Sequence, residues 1–272
     1  MNWIHLDDLT LRYEARGNGT QTLVLLHELG GSLDSFDALM PALGDDRRVL
    51  RYDLRGAGLS EKPRSSFSFT DHVGDLHRLL AGLGIAGPVD IAGVAAGAAV
   101  AVSFALTYPD RVSSLSLCAP ALSVDADRVQ YLARRSELCM RSGMRAVAAE
   151  TLDRSYPPAL RRDRNAYLAY LGRFLGNDPV GYACNNLAFA KVDLLPRLRD
   201  IPHRCLLLAG AHDLLRPEAQ VMALAGMIPH AEPATINDAG HLMHVQAPAE
   251  MAGRLVAFLA QPAAPPLLPC VS

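Results

Sequence analysis

The chain has 272 residues, half of them apolar and a fifth charged, with a formal net charge of −2. That length holds one large core or two modest domains, and that composition excludes extended disorder. So small a charge supplies no field for phosphate backbones, and the arginines are scattered without interleaved aromatics, so nucleic acid is excluded and a small-molecule substrate is expected.

Two strands open the chain, over residues 3–6 and 9–16. Residues 22–27 follow as a short apolar run ending near Gly30 and Gly31, and residues 49–52 form the next strand. A helix over 71–83 gathers Val73, Leu76, Leu80 and Leu83 on one face, with Thr70 as its N-cap and Gly84 and Gly87 at its end. Residues 89–92 read as a buried strand running through Gly93 and Gly97 into an alanine-rich helix that Pro109 stops. Residues 115–118 are strand again. From about 124 to 195 the strand signal vanishes and helices take over, among them residues 165–175 with Leu168, Leu171 and Leu175 on one face. A strand over 205–208, a helix over 217–227, a weak strand at 235–236 and a last helix striped with Met251, Leu255, Phe258 and Leu259 restore the alternation. Residues 263–272 read as an irregular tail.

Two strands followed by β-α alternation predict an α/β fold: a mostly parallel, doubly wound sheet of about eight strands, with its site at their carboxyl ends. The longest uncharged stretch, 91–108, holds two glycines and many alanines, too weakly apolar for the roughly 20-residue span of a bilayer, so no membrane is expected. Asp7, Asp8 and Glu14 near the start fit neither a signal nor a transit peptide, which predicts a cytoplasmic protein. Cys118, Cys139, Cys184, Cys205 and Cys270 are odd in number and widely spaced, with no CxxC, so neither a disulfide framework nor a zinc knuckle is indicated. No cofactor is expected, and a homo-oligomer is compatible with the composition.

Five short motifs fall at the strand ends: His27-Glu28-Leu29-Gly30-Gly31, Asp53-Leu54-Arg55-Gly56-Ala57-Gly58-Leu59-Ser60, Gly93-Val94-Ala95-Ala96-Gly97, Gly210-Ala211-His212-Asp213 and Asp238-Ala239-Gly240-His241. In this order they resemble the α/β-hydrolase fold superfamily, over nearly the whole chain. The stretch Asp178-Pro179-Val180-Gly181-Tyr182 is similar to the 3-oxoadipate enol-lactonase branch. The resemblance implies a core of residues 1–123 and 197–262 and a helical cap over 124–196.

The elbow between strand and helix turns so sharply that glycine is required at 93 and 97, which pushes the residue between them into the pocket. In the family that residue is a nucleophile, usually serine; here it is Ala95, which has no removable proton and forms no acyl-enzyme. The resemblance assigns Asp213 as the acid that holds His241, His241 as general base, and the Leu29 and Ala96 backbone N–H groups as the oxyanion hole. Should Asp213 lie elsewhere, Asp125 is the nearest substitute.

Glu28 is a second departure, since glycine commonly follows the motif histidine. Its carboxylate opposes an oxyanion unless protonated, paired or itself an acid or base, and burial against the site predicts a raised pKa. A surface position facing solvent is the alternative. A laboratory serine-to-alanine knockout explains Ala95 but not Glu28, so two departures in one pocket favour natural divergence. His241 and His244, three apart, lack an obvious third ligand for a metal. His27 reads as structural, Asp53, Arg55, Gly56 and Gly58 as turn formers, and the other histidines as ordinary surface or helix residues. Residues 125–195 hold 11 Arg plus Lys against 8 Asp plus Glu, a slight preference for anions that a solvated face explains equally well.

The expected activity is general-base attack on a small activated carbonyl compound (ester, enol-lactone or diketone) by His241 and Asp213, with or without Glu28. Two other readings share these residues: a cofactor-independent dioxygenase, lyase or isomerase using the same pair, and a catalytically dead homologue or serine-to-alanine form that binds a ligand.

Overall fold

The structure, a computed structural model, describes residues 2–261. The tail expected at 263–272 lies outside them.

β1 (Asn2–Leu6) and β2 (Leu9–Arg16) form a hairpin with Ile4 opposite Leu11. β3 (Thr22–Leu26), β4 (Arg48–Tyr52), β5 (Val89–Val94), β6 (Val112–Cys118), β7 (Arg204–Gly210) and β8 (Ala231–Ile236) complete one eight-stranded sheet in the order β1-β2-β4-β3-β5-β6-β7-β8. The β1–β2 and β2–β4 pairs are antiparallel and all others parallel.

The sheet is covered on both faces, which is why its central strands are apolar at nearly every position. Val24 and Leu26 of β3 join the core under α1 (Phe69–Gly82), α2 (Ala96–Thr107) and α7 (Glu218–Ala225). Leu23 and Leu25 of the same strand face the opposite core, with Phe36, Met40 and the Met251, Leu255 and Phe258 stripe of α9 (Pro248–Leu259).

Between β6 and β7 the chain leaves the sheet for α3 (Ala126–Ser142), α4 (Arg145–Ser155), α5 (Arg164–Leu175) and α6 (Pro179–Phe189). These helices have a small core of their own around Cys139, Val147, Leu152, Tyr170, Phe174 and Tyr182. Leu242 and Val245, in and beside α8 (Met243–Gln246), reach into it.

Two local expectations are corrected. α1 begins earlier than expected and is capped by Ser68, not Thr70: Ser68 N–H donates to Asp71 Oδ2 (2.6 Å), and the acceptor three residues on decides the start. On α5 the buried residues are Tyr170 and Phe174, while Leu168 is 45 % exposed. The two rings, one turn apart, offer more apolar area than the leucine row and turn the helix accordingly.

The elbow between β5 and α2 shows why glycine is needed there. A Cβ on Gly93 would stand 2.4 Å from Gly97 O, and one on Gly97 would stand 2.2 Å from Leu26 O, both on backbone that has no room to yield. Gly97→Ala is therefore expected to cost at least the ~1–3 kcal/mol of an overpacked core, read as a lower urea midpoint. An unchanged midpoint would show that the strand and helix separate more easily than this packing implies.

Candidate active site

The carboxyl ends of the strands bring the motifs together. Ala95 caps α2 with φ 51° and ψ −106°, a left-handed conformation rare for a residue with a Cβ. It is held there by Ala95 N–H donating to Cys118 O (2.9 Å) and by Ala98 and Ala121 N–H donating to Ala95 O (both 3.2 Å). Ala96 is the first residue of α2, so its N–H has no acceptor within the helix.

Asp213 follows β7 and His241 follows β8; His241 Nδ1 donates to Asp213 Oδ2 at 2.9 Å. The other carboxylate oxygen accepts from Leu215 N–H (2.7 Å) and Arg216 N–H (2.9 Å). Burial pushes the Asp213 pKa up, but His241 and the two amides outweigh it and leave the carboxyl below its ordinary value. The acid is thus ionised and aimed at Nδ1, which leaves Nε2 as the nitrogen available for chemistry. Asp125 instead caps α3, accepting from Arg128 N–H.

His241, Ala95, Ala96, Leu29 and Glu28 line one cavity of about 90 Å³, closed by residues of α3, α4 and α5. Its wall also carries Arg128, Arg135, Arg216 and Tyr170.

Glu28 is buried and is not a surface carboxylate. Its Oε1 accepts from Ser35 Oγ (3.1 Å) and from the Tyr170 hydroxyl (2.8 Å). Its Oε2 lies 3.0 Å from His244 Nε2, close enough for an ion pair but out of line for a hydrogen bond. A Cβ at position 31 would stand 2.2 Å from Oε1, so any side chain there displaces the Glu28 carboxylate. The raised pKa expected on burial is overturned: burial does push it up, but the adjacent His244 more than offsets this and brings Glu28 to about 2. The carboxylate is therefore ionised, and its neighbours hold it in place.

His27 is a fixture of the same loop, with Nδ1 donating to Glu28 O (2.8 Å) and Nε2 accepting from Leu54 N–H (3.0 Å). Asp53, 0 % exposed, receives Leu33 and Leu59 N–H and shapes the loop after β4. His72 is a buried helix residue packed on Phe189, and burial brings it down to about 3. His241 and His244 turn to different carboxylates. Among the described residues no three His, Cys, Asp or Glu converge on one point suited to a metal, and no helix is long and apolar enough to cross a membrane.

The sequence profile of the alpha/beta hydrolase fold matches residues 21–248. The chain belongs to the α/β-hydrolase fold family. The enol-lactonase of Burkholderia xenovorans LB400 superposes with a TM-score of 0.89 at 28 % identity, over 96 % of this chain and 100 % of that one. The poly(3-hydroxyalkanoate) depolymerase of Ectopseudomonas oleovorans is 29 % identical over 95 % of this α/β-hydrolase and 92 % of its own length. The dihydrolipoyllysine-residue acetyltransferase component of the acetoin cleaving system of Pseudomonas putida is also 29 % identical, over 91 % of this chain, which spans 65 % of that longer protein.

Sequence reasoning missed the arginines and Tyr170. A signal was present for the former: Arg128, Leu132, Arg135 and Cys139 fall on one stripe of α3, so the helix points guanidiniums along its apolar seam. Tyr170 gave none, because its partner is 142 residues away.

Proposed function

We propose that this α/β-hydrolase cleaves a small, activated carbonyl compound by direct attack of water, with His241 as general base and Asp213 as the residue that orients it. The observation that carries the proposal is the 2.9 Å contact between His241 Nδ1 and a buried, ionised Asp213, in a cavity shared with the elbow residue. Water adds to the carbonyl carbon as its proton passes to Nε2; the bond to the leaving group then breaks and that proton goes to the leaving atom. The N–H groups of Leu29 and Ala96, two residues of the cavity wall, receive the oxyanion. Glu28 is a poor base at its lowered pKa and is assigned to holding the loop that carries Leu29. General-base help of ~10²–10⁴-fold and an oxyanion donor of ~10²–10³-fold serve substrates already activated by strain or conjugation better than plain amides.

Ala95 favours a second reading. Without a nucleophile, His241 takes a proton from an acidic C–H as readily as from water, and the products distinguish the two, since only hydrolysis incorporates solvent ¹⁸O at the carbonyl carbon.

The elbow supplies a direct test. Fluorophosphonate probes are expected to leave no adduct on this chain, because the Ala95 methyl has nothing to donate, and Ala95→Ser is expected to be labelled at residue 95. An adduct at the elbow of the unaltered protein is ruled out by its chemistry; failure of the serine variant to label would mean that His241 does not reach that position, which removes the proposed base.

A further inference from the structure

Three guanidiniums without a carboxylate of their own meet in the wall of the cavity. Arg128 and Arg135 come from α3, and Arg216 from the segment after β7. Arg135 is buried, its Nε has no hydrogen-bond partner, and its guanidinium lies 5.0 Å from the centre of the Tyr182 ring. Arg128 sits over Tyr131, 4.6 Å from the ring centre, and Arg216 Nη1 donates to the adjacent Leu215 O. Among the described residues none of the three is in ion-pair contact with a carboxylate. Burial lowers the pKa of all three, and the charge of Arg128 lowers Arg135 and Arg216 further.

A buried, unpaired positive charge such as that of Arg135 is costly unless an anion joins it, and Arg128 and Arg216 stand half-buried beside it. The nearby carboxylates are committed elsewhere: Asp213 to His241, Glu28 to Ser35, Tyr170 and His244, and Asp125 to the cap of α3. Glu150 lies exposed on α4. Asp125 and Glu150 act on Arg128, and Asp213 and Asp125 on Arg216, from beyond ion-pair distance, whereas the groups acting on the buried Arg135 are Tyr131, Arg128 and Cys139, none of them a carboxylate.

We propose that the cavity selects a short dianion, a compound with two carboxylates besides its reacting carbonyl, held by Arg128, Arg135 and Arg216. This names the substrate class for the reaction proposed above and rests on that reading only for the bond that is cut. The small cavity confines the ligand to a short skeleton, and the guanidiniums that meet its carboxylates come from two different segments.

Calorimetric titration of the full chain with succinate, monomethyl succinate and dimethyl succinate tests the proposal. Each masked carboxylate is expected to weaken binding roughly tenfold or more, the worth of a charge-assisted hydrogen bond. Arg135→Gln is expected to weaken succinate by a similar factor and leave the dimethyl ester unchanged. Equal binding of the three compounds, or binding of none, overturns the proposal. So does an Arg135→Gln protein that binds succinate as the unaltered chain does. Should that variant not fold, Arg216→Gln, outside the helices, takes its place, and the ester series on the unaltered protein decides alone. Repeating the series with His241→Ala separates this proposal from the hydrolytic one: the ester ranking holds there even if no carbonyl compound is ever cleaved.

Discussion

His241→Ala is expected to lower turnover of a cleaved substrate by ~10²–10⁴-fold, the range of a positioned general base, while the dissociation constant moves far less. The separation follows from geometry. The imidazole is held by Asp213 at 2.9 Å and is only 9 % exposed, so Nε2 is presented to the cavity in one orientation. Removing the ring leaves Asp213 Oδ1 with the Leu215 and Arg216 amides and Oδ2 without a partner, a loss of ~1–3 kcal/mol in stability that is read separately from turnover. Steady-state rates beside calorimetric affinity read the two effects apart. Equal turnover in both proteins would remove the base from His241, and a fall in affinity that matched the fall in rate would make it a binding residue instead.

The second large effect is on stability, at Glu28. Its carboxyl sits at about 2 in the fold against an ordinary 4.5, so the unfolded chain takes up the proton first as the pH falls. The stabilisation it provides is complete above about 4.5 and is lost as the pH drops through about 2; a shift of that size is worth on the order of 3 kcal/mol. Glu28→Gln keeps an oxygen for Ser35 and Tyr170 but not the charge that faces His244. It is expected to lose about that much stability at neutral pH and to show a flatter dependence between pH 5 and pH 2. Urea midpoints at several pH values measure both. Parallel curves for the two proteins would mean that the fold does not hold the Glu28 carboxyl below its ordinary value.

The sheet was legible because each strand is short, apolar and bounded by turn residues, and because the motifs that resemble the family fall at its carboxyl end. Asp213 and His241 could be paired from their motifs alone, since the loops that hold them end adjacent strands, β7 and β8. The environment of Glu28 was not legible. Local sequence shows a carboxylate beside a glycine pair, whereas its pKa is decided by His244, more than two hundred residues away, and by a tyrosine on an inserted helix. On α5 two of the three leucines, Leu171 and Leu175, pack on the helical core as their spacing predicts, whereas Leu168 is exposed because Tyr170 is drawn inward by a hydrogen bond to another part of the chain. His241 and His244, three apart, face different carboxylates, Asp213 and Glu28.

Ala95 stands in the left-handed region of backbone space. A left-handed φ of 51° at a residue with a Cβ costs on the order of 1–3 kcal/mol, and the bonds from Cys118, Ala98 and Ala121 enforce it whatever side chain stands there. The turn therefore retains the form suited to a hydroxyl that the residue lacks. Alanine and serine codons are separated by a single base, so in genetic terms the gene stands one mutational step from a different chemistry, with the backbone that chemistry requires already in place.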